Sequence, residues 1–113
     1  MALALNIFQT IAQTVSDLEQ EIYTAPVGYT GVVLLAQVTN IGGQSEDVTL
    51  IHRRNVGGTD VDTQMLKQYP IPAGDTLNML SGKLVLESGD KIVMYGSDAT
   101  NIQTVISILE TLN

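Results

Sequence analysis

The residues of this chain whose types could do chemistry are few and scattered. His52 is the only histidine, and Arg53 and Arg54 follow it. As a general base it would need a nucleophile and an orienting acid held against it, and its sequence neighbours supply neither. His52, Arg53 and Arg54 read instead as the polar end of a strand, or as a small cationic patch that docks on an acidic surface. Asp60 and Asp62, in GGTDVDT, set two carboxylates two residues apart on an expected loop. Hard cations such as calcium take clustered oxygens of this kind, but about six to eight of them, and the spacing offers two side chains. Asp75, Asp90 and Asp98 each fall in a turn, and turn chemistry accounts for them. Paired carboxylates also hydrolyse glycosides, in clefts walled by aromatic rings. Here the aromatic residues are Phe8, Tyr23, Tyr29, Tyr69 and Tyr95 alone. The absence of cysteine removes disulfides, thiolate metal sites and thiol nucleophiles. No glycine-rich loop opens a helix, so no phosphate cradle is expected. Catalysis, a bound metal and a cofactor are therefore not expected.

The elements that would position these groups read as strands. Thr, Val and Ile are abundant, and turn signals recur along the chain: Pro26–Gly28, Gly42–Gly43, Gly57–Gly58, Pro72–Gly74, Ser88–Gly89 and Gly96–Asp98. Between them apolar and polar residues alternate, as in Val48 and Leu50, Leu84 and Leu86, Ile92 and Met94, and Ile102 to Ile108. Leu5 to Val15 carries Ile7, Ile11 and Val15, a spacing that also fits a helix face, but its Thr and Gln content and the lack of a cap favour an extended segment. Asp17 to Glu21 fits a single helical turn or a loop. Pro70 and Pro72 confine Ile71 to an edge or a strand end. Eight or nine strands of this kind predict an all-β fold, an antiparallel two-sheet β-sandwich, of jelly-roll or immunoglobulin-like type. Residues 1–113 suit one β-sandwich domain, with residues 1–20 a strand or arm that packs on a neighbouring subunit.

Charge narrows the partners. Five Lys and Arg face twelve Asp and Glu, a formal net charge of −7, and the first basic residue is Arg53. Nucleic-acid binding depends on clustered cations, and so does docking on an anionic membrane. Neither is expected. No apolar run is long enough to span a bilayer, and the start, MALALNIF, lacks the basic region of a signal peptide.

The stretch EIYTAPVGYTGVVLLAQVTN raises a different question. Val32 to Ala36 is apolar at consecutive positions, so both faces of the strand are apolar. The closing segment repeats this, with Ile102, Ile106 and Ile108 on one face and Val105 and Leu109 on the other. A sandwich strand has one face toward its partner sheet and one toward solvent. A second apolar face needs either a covering loop of the same chain or another subunit. Since large exposed apolar patches mark interaction sites, the contact with another subunit is the expectation. The candidate interface residues are Ile7, Ile11, Val33, Leu35, Val105 and Leu109, with His52, Arg53 and Arg54 as a polar supplement.

Two further stretches, Tyr23-Thr24-Ala25-Pro26-Val27-Gly28 and Leu86-Glu87-Ser88-Gly89-Asp90, carry a resemblance. With the strand between them and the closing ISILETL, the segment from Glu21 to Leu112 resembles small virion structural proteins of tailed bacteriophages, including phages of cyanobacteria. The resemblance implies a non-enzymatic part of a phage particle, located in the virion and assembled in the bacterial host cytoplasm. It implies a capsid decoration (cement) protein, or else a tail, baseplate or fibre module, which could recognise a host glycan. The implied partners are further copies of the chain, as a homotrimer, and the major capsid protein or other virion proteins.

Overall fold

The computed structural model describes residues 5–113, so the first four residues of the expected N-terminal arm lie outside the described part. Nine strands follow one another: β1 (Asn6–Thr14), β2 (Gln20–Thr24), β3 (Tyr29–Asn40), β4 (Glu46–Val56), β5 (Thr59–Ile71), β6 (Thr76–Asn78), β7 (Leu84–Leu86), β8 (Lys91–Gly96) and β9 (Ile102–Leu112). Every pairing is antiparallel. Sheet 1 runs β1-β9-β3, and β6 and β7 pair in succession along the far edge of β3. Sheet 2 runs β2-β8-β4-β5. That order is a jelly roll, which decides between the two topologies left open by the sequence. The sheets pack face to face around Val33, Val38, Leu50, Met94, Ile106 and Ile108.

Most of the turn signals are corners that carry the chain from one sheet to the other. Three have the same form. The N–H groups of Tyr29, Asp75 and Asp90 donate to the carbonyls of Pro26, Pro72 and Glu87 at 3.1, 3.1 and 2.9 Å. Gly28, Gly74 and Gly89 occupy the third position at φ 86°, 74° and 86°, where a Cβ would strain the backbone. Gly57 and Gly58, at φ 61° and 86°, make the two-residue hairpin between β4 and β5. Gly42–Gly43, by contrast, is not a hairpin. It lies in the β3–β4 corner, shaped by the buried Asn40. The Asn40 amide donates to the carbonyls of Gln44 (2.6 Å) and Ile71 (3.0 Å) and accepts the Gly42 N–H at 2.9 Å.

The apolar run in β3 has a backbone explanation. Opposite β9, Val33 pairs with Ile108 and Leu35 pairs with Ser107, so Leu34 is an extra residue in a β-bulge. Gly31 and Val33 point inward before the bulge, and Ala36, Val38 and Asn40 after it. Leu34 and Leu35 both stay on the outside, 40% and 37% exposed. The run is thus a strand that changes phase.

Candidate functional site

The outer face of sheet 1 carries an apolar row that crosses four strands. Val32 on β3 pairs with Val85 on β7 on one side and Leu109 on β9 on the other. Leu109 in turn pairs with Phe8 on β1. Directly paired residues share a face, so Phe8, Leu109, Val32 and Val85 stand in line. Phe8 is 75% and Val85 55% exposed. The bulged Leu34 and Leu35 lie beside the row and border an open hollow with Leu80 and Lys83. Beyond it the same face turns polar. Thr10 and Ser107, and Thr39 and Thr76, make cross-strand hydroxyl contacts at 3.5 and 2.9 Å.

The candidate interface residues separate on this geometry. Leu35, Val105 and Leu109 are on the outer face. Ile7 and Ile11 are half-buried and lean inward, paired with Glu110 and Ile106. Val33 is fully buried between the sheets, so its own chain covers it and it offers nothing to a neighbour. Alternation groups Val33 with Leu35 on one face, and the bulge between them, which separates the two, is not visible in the sequence.

His52, Arg53 and Arg54 do not form an open cationic patch. Alternation along β4 sends Arg53 to the outer face of sheet 2. There its guanidinium grips both oxygens of Asp62 at 2.7 and 2.8 Å, and also bonds Glu19. Lys91 holds Glu21 nearby at 2.9 Å. Asp60 and Asp62 lie on β5 and not on a loop, because the turn is confined to Gly57–Gly58. Asp60 accepts from the Asn55 amide at 3.2 Å. Among the described residues no group of three or more acids and histidines is arranged to hold a metal ion.

His52 and Arg54 point the other way and converge on Asp90, whose residue is 2% exposed. Its carboxylate contacts His52 Nε2 at 3.1 Å and accepts from Arg54 at 2.7 and 3.0 Å and from the Glu87 N–H at 3.0 Å. The Arg54 guanidinium, followed by the Glu87 N–H and His52, holds the Asp90 carboxyl below the usual range against the opposing effect of burial. Turn chemistry does explain Asp75 and Asp98, which accept N–H groups of Thr76, Thr100 and Asn101. It does not explain Asp90, which ties the β7–β8 corner to β4.

A second buried polar contact joins the sheets. The Tyr23 hydroxyl on β2 donates to the Glu110 carboxylate on β9, and both residues are buried. Burial, then the Glu110 carboxylate, pushes the Tyr23 phenol above its ordinary range. Gly31, paired with Glu110, makes room for the ring: a Cβ there would sit 3.1 Å from the Tyr23 hydroxyl. Glu110→Ala should lower stability by about 2–3 kcal/mol, because it leaves a buried hydroxyl without its acceptor. Glu110→Gln, which still accepts, should lose less. Urea denaturation of both variants checks the order.

The aromatic rings do not gather into a platform. Tyr23 is buried, Tyr69 is on the edge strand β5, Tyr95 lies opposite Thr49 in sheet 2, and Phe8 is on sheet 1. The residues that sequence reasoning missed are Phe8 and Val85 as members of the exposed apolar row, and Asp90 and Glu110 as buried anchors. The two-faced strands did signal the apolar face. Only pairing across strands shows the row.

No protein-family model matches the chain, and no curated protein matches it in sequence. Solved structures do match in fold. A protein of the IBDV T13 viral particle aligns with 97% of this chain at TM-score 0.60 and 10% identity, and the chain spans 32% of its length. A capsid protein of Helicobacter pylori bacteriophage KHP30 aligns over 96% of this chain and 89% of its own, at TM-score 0.55 and 9% identity. A subunit of the Bacillus endospore appendages, described as disulfide-linked pili, aligns over 100% of this chain and 97% of its own, at TM-score 0.52 and 15% identity. At these identities the likeness is one of fold.

Proposed function

We propose that this protein acts by assembly and not by catalysis, as a structural protein of a bacteriophage particle that seats on the capsid shell as decoration or cement. The observation that carries the reading is the row Phe8–Leu109–Val32–Val85 with Leu34 and Leu35 beside it. It is an apolar strip on an outer sheet face, bordered by polar pairs, which is the form of a docking surface. The shared fold with capsid proteins supports the setting, and the scattered tyrosines favour this reading over a glycan-reading fibre module. The shell protein would cover the strip, each fully buried Leu or Phe contributing about 1.5–3 kcal/mol relative to exposure. Mass spectrometry of purified particles gives the copy number: hundreds of copies fit cement, and a handful would move the protein to the tail or baseplate. In reconstitution on undecorated particles, Leu35→Asp should weaken binding by about tenfold or more while the circular dichroism of the free protein is unchanged. Binding equal to wild type would remove the strip from the contact.

A further inference from the structure

We propose that β1 is a pairing edge, which joins antiparallel to β1 of a second copy across a two-fold axis at Thr10. This contact lies on the rim of sheet 1 and is separate from the shell contact on its face. Natural sheets guard their edges with charge, proline, bulges or shortness. Among the described residues the other edges are guarded. β6 and β7 have three residues each. β2 has five, with Glu21 and a register shift before Tyr23. β5 is long but carries Asp60, Asp62, Lys67 and Pro70, register shifts, and Gln68 at φ 49°. β1 is nine residues, NIFQTIAQT, with no charge, no proline and an unbroken register against β9.

The direction of its hydrogen bonds sets the pairing. The Val15 N–H donates to the Ile102 carbonyl, and the Leu112 N–H donates to the Leu5 carbonyl, both at 2.8 Å. In an antiparallel ladder alternate residues bond toward one neighbour, so the odd-numbered residues of β1 face β9. Asn6, Phe8, Thr10, Ala12 and Thr14 turn their N–H and C=O groups to the open edge. A two-fold axis at Thr10 sets Thr10 opposite Thr10, Phe8 opposite Ala12 and Asn6 opposite Thr14. Every outward-facing group then meets its complement, and no like charges meet although each chain carries −7. The side chains agree as well. Phe8, the most exposed member of the apolar row, comes to lie beside Ala12 of the second copy, and beyond it beside Val105, which pairs with Ala12 within each chain. The apolar row of one copy thus runs on into the next. This self-complementarity is why the occupant is a second copy of this chain.

Sedimentation and cross-linking of the full chain test the pairing. Thr10→Pro deletes an N–H that faces away from β9, so it removes no backbone hydrogen bond within the chain and gives up only the 3.5 Å hydroxyl contact with Ser107. Its circular dichroism should stay that of the wild type while the sedimenting mass falls by half. Thr10→Cys should give a covalent dimer in oxidising buffer, because hydrogen-bonded partners lie about 5.5 Å apart between Cα atoms, within disulfide range. Val27→Cys, on an exposed turn, should cross-link far less. A monomeric wild type, a closed trimer whose mass Thr10→Pro leaves unchanged, or Thr10→Cys no faster than Val27→Cys would overturn the proposal. Those results would not touch the shell contact, for which Leu35→Asp is the probe and which should leave the β1 pair intact.

Discussion

Ile106→Asp should abolish folding, whereas Leu35→Asp should leave the fold in place. Both positions lie in the apolar stretches of the two central strands of sheet 1, each of which is apolar on both faces in sequence. Ile106 is fully buried and pairs with Ile11 and Ala36 in the middle of the sandwich. The substitution forfeits about 1.5–3 kcal/mol of apolar burial and places a carboxylate within the hydrophobic core, at a further cost of several kcal/mol. The sum approaches the whole stability of a domain of this size, about 5–15 kcal/mol. Leu35 is on the outer face and more than a third exposed, so a carboxylate there stays hydrated and costs about 1 kcal/mol or less. Circular dichroism and urea titration of the two variants measure the difference. A cooperatively folded Ile106→Asp would contradict the inward assignment of β9.

Asp90→Ala should cost about 2–3 kcal/mol at neutral pH, and lower the melting temperature by roughly 10–20 °C. The substitution leaves Arg54, His52 and the Glu87 N–H without their shared acceptor. The cost falls short of that for a fully buried pair because Arg54 stays partly in water. The pH dependence has a definite sign. The folded carboxyl is held below its ordinary range, chiefly by Arg54. Its contribution is therefore complete above the unfolded value of about 4, and is lost as pH falls through the lower folded value. Asp62, held low by Arg53, adds to the same acid limb. Urea midpoints measured from pH 7 down to pH 2 should fall steeply below about pH 4 for the wild type, and less steeply for Asp90→Ala. Parallel curves would show that Asp90 is not a principal contributor.

What the sequence revealed, and what it hid, follows the range of the interactions. Alternation at Leu84 and Leu86, at Ile92 and Met94, and from Ile102 to Ile108 marked the strands there because period 2 is a local property. PAGD and ESGD are nearly the same turn, yet Asp75 caps its neighbour and Asp90 gathers His52 and Arg54 from β4. Nothing within the four residues distinguishes them. Two adjacent glycines make a hairpin at Gly57–Gly58 and part of an inter-sheet corner at Gly42–Gly43, since only the second is held by Asn40. The jelly-roll order depends on which strands meet, and most of those meetings lie far apart along the chain. The candidate surface was half legible. Leu35, Val105 and Leu109 stood out as apolar on a solvent face, while Phe8 and Val85 joined them only through register.

The position of β9 has a consequence for how the protein forms. It is the last strand in chain order and yet stands in the interior of sheet 1, between β1 and β3. Until it arrives, β1 has no partner within the sheet, and β3 shows one long bare flank. Sheet 1 is thus completed by a late insertion and not by zipping from one end. Closure of such distant pairings is slow, on the order of milliseconds to seconds. During that interval the uncharged strand Asn6–Thr14 is open along both sides. The concentration of nascent chains, as much as the stability of the finished sandwich, then governs whether strands from different copies meet before their own β9 does.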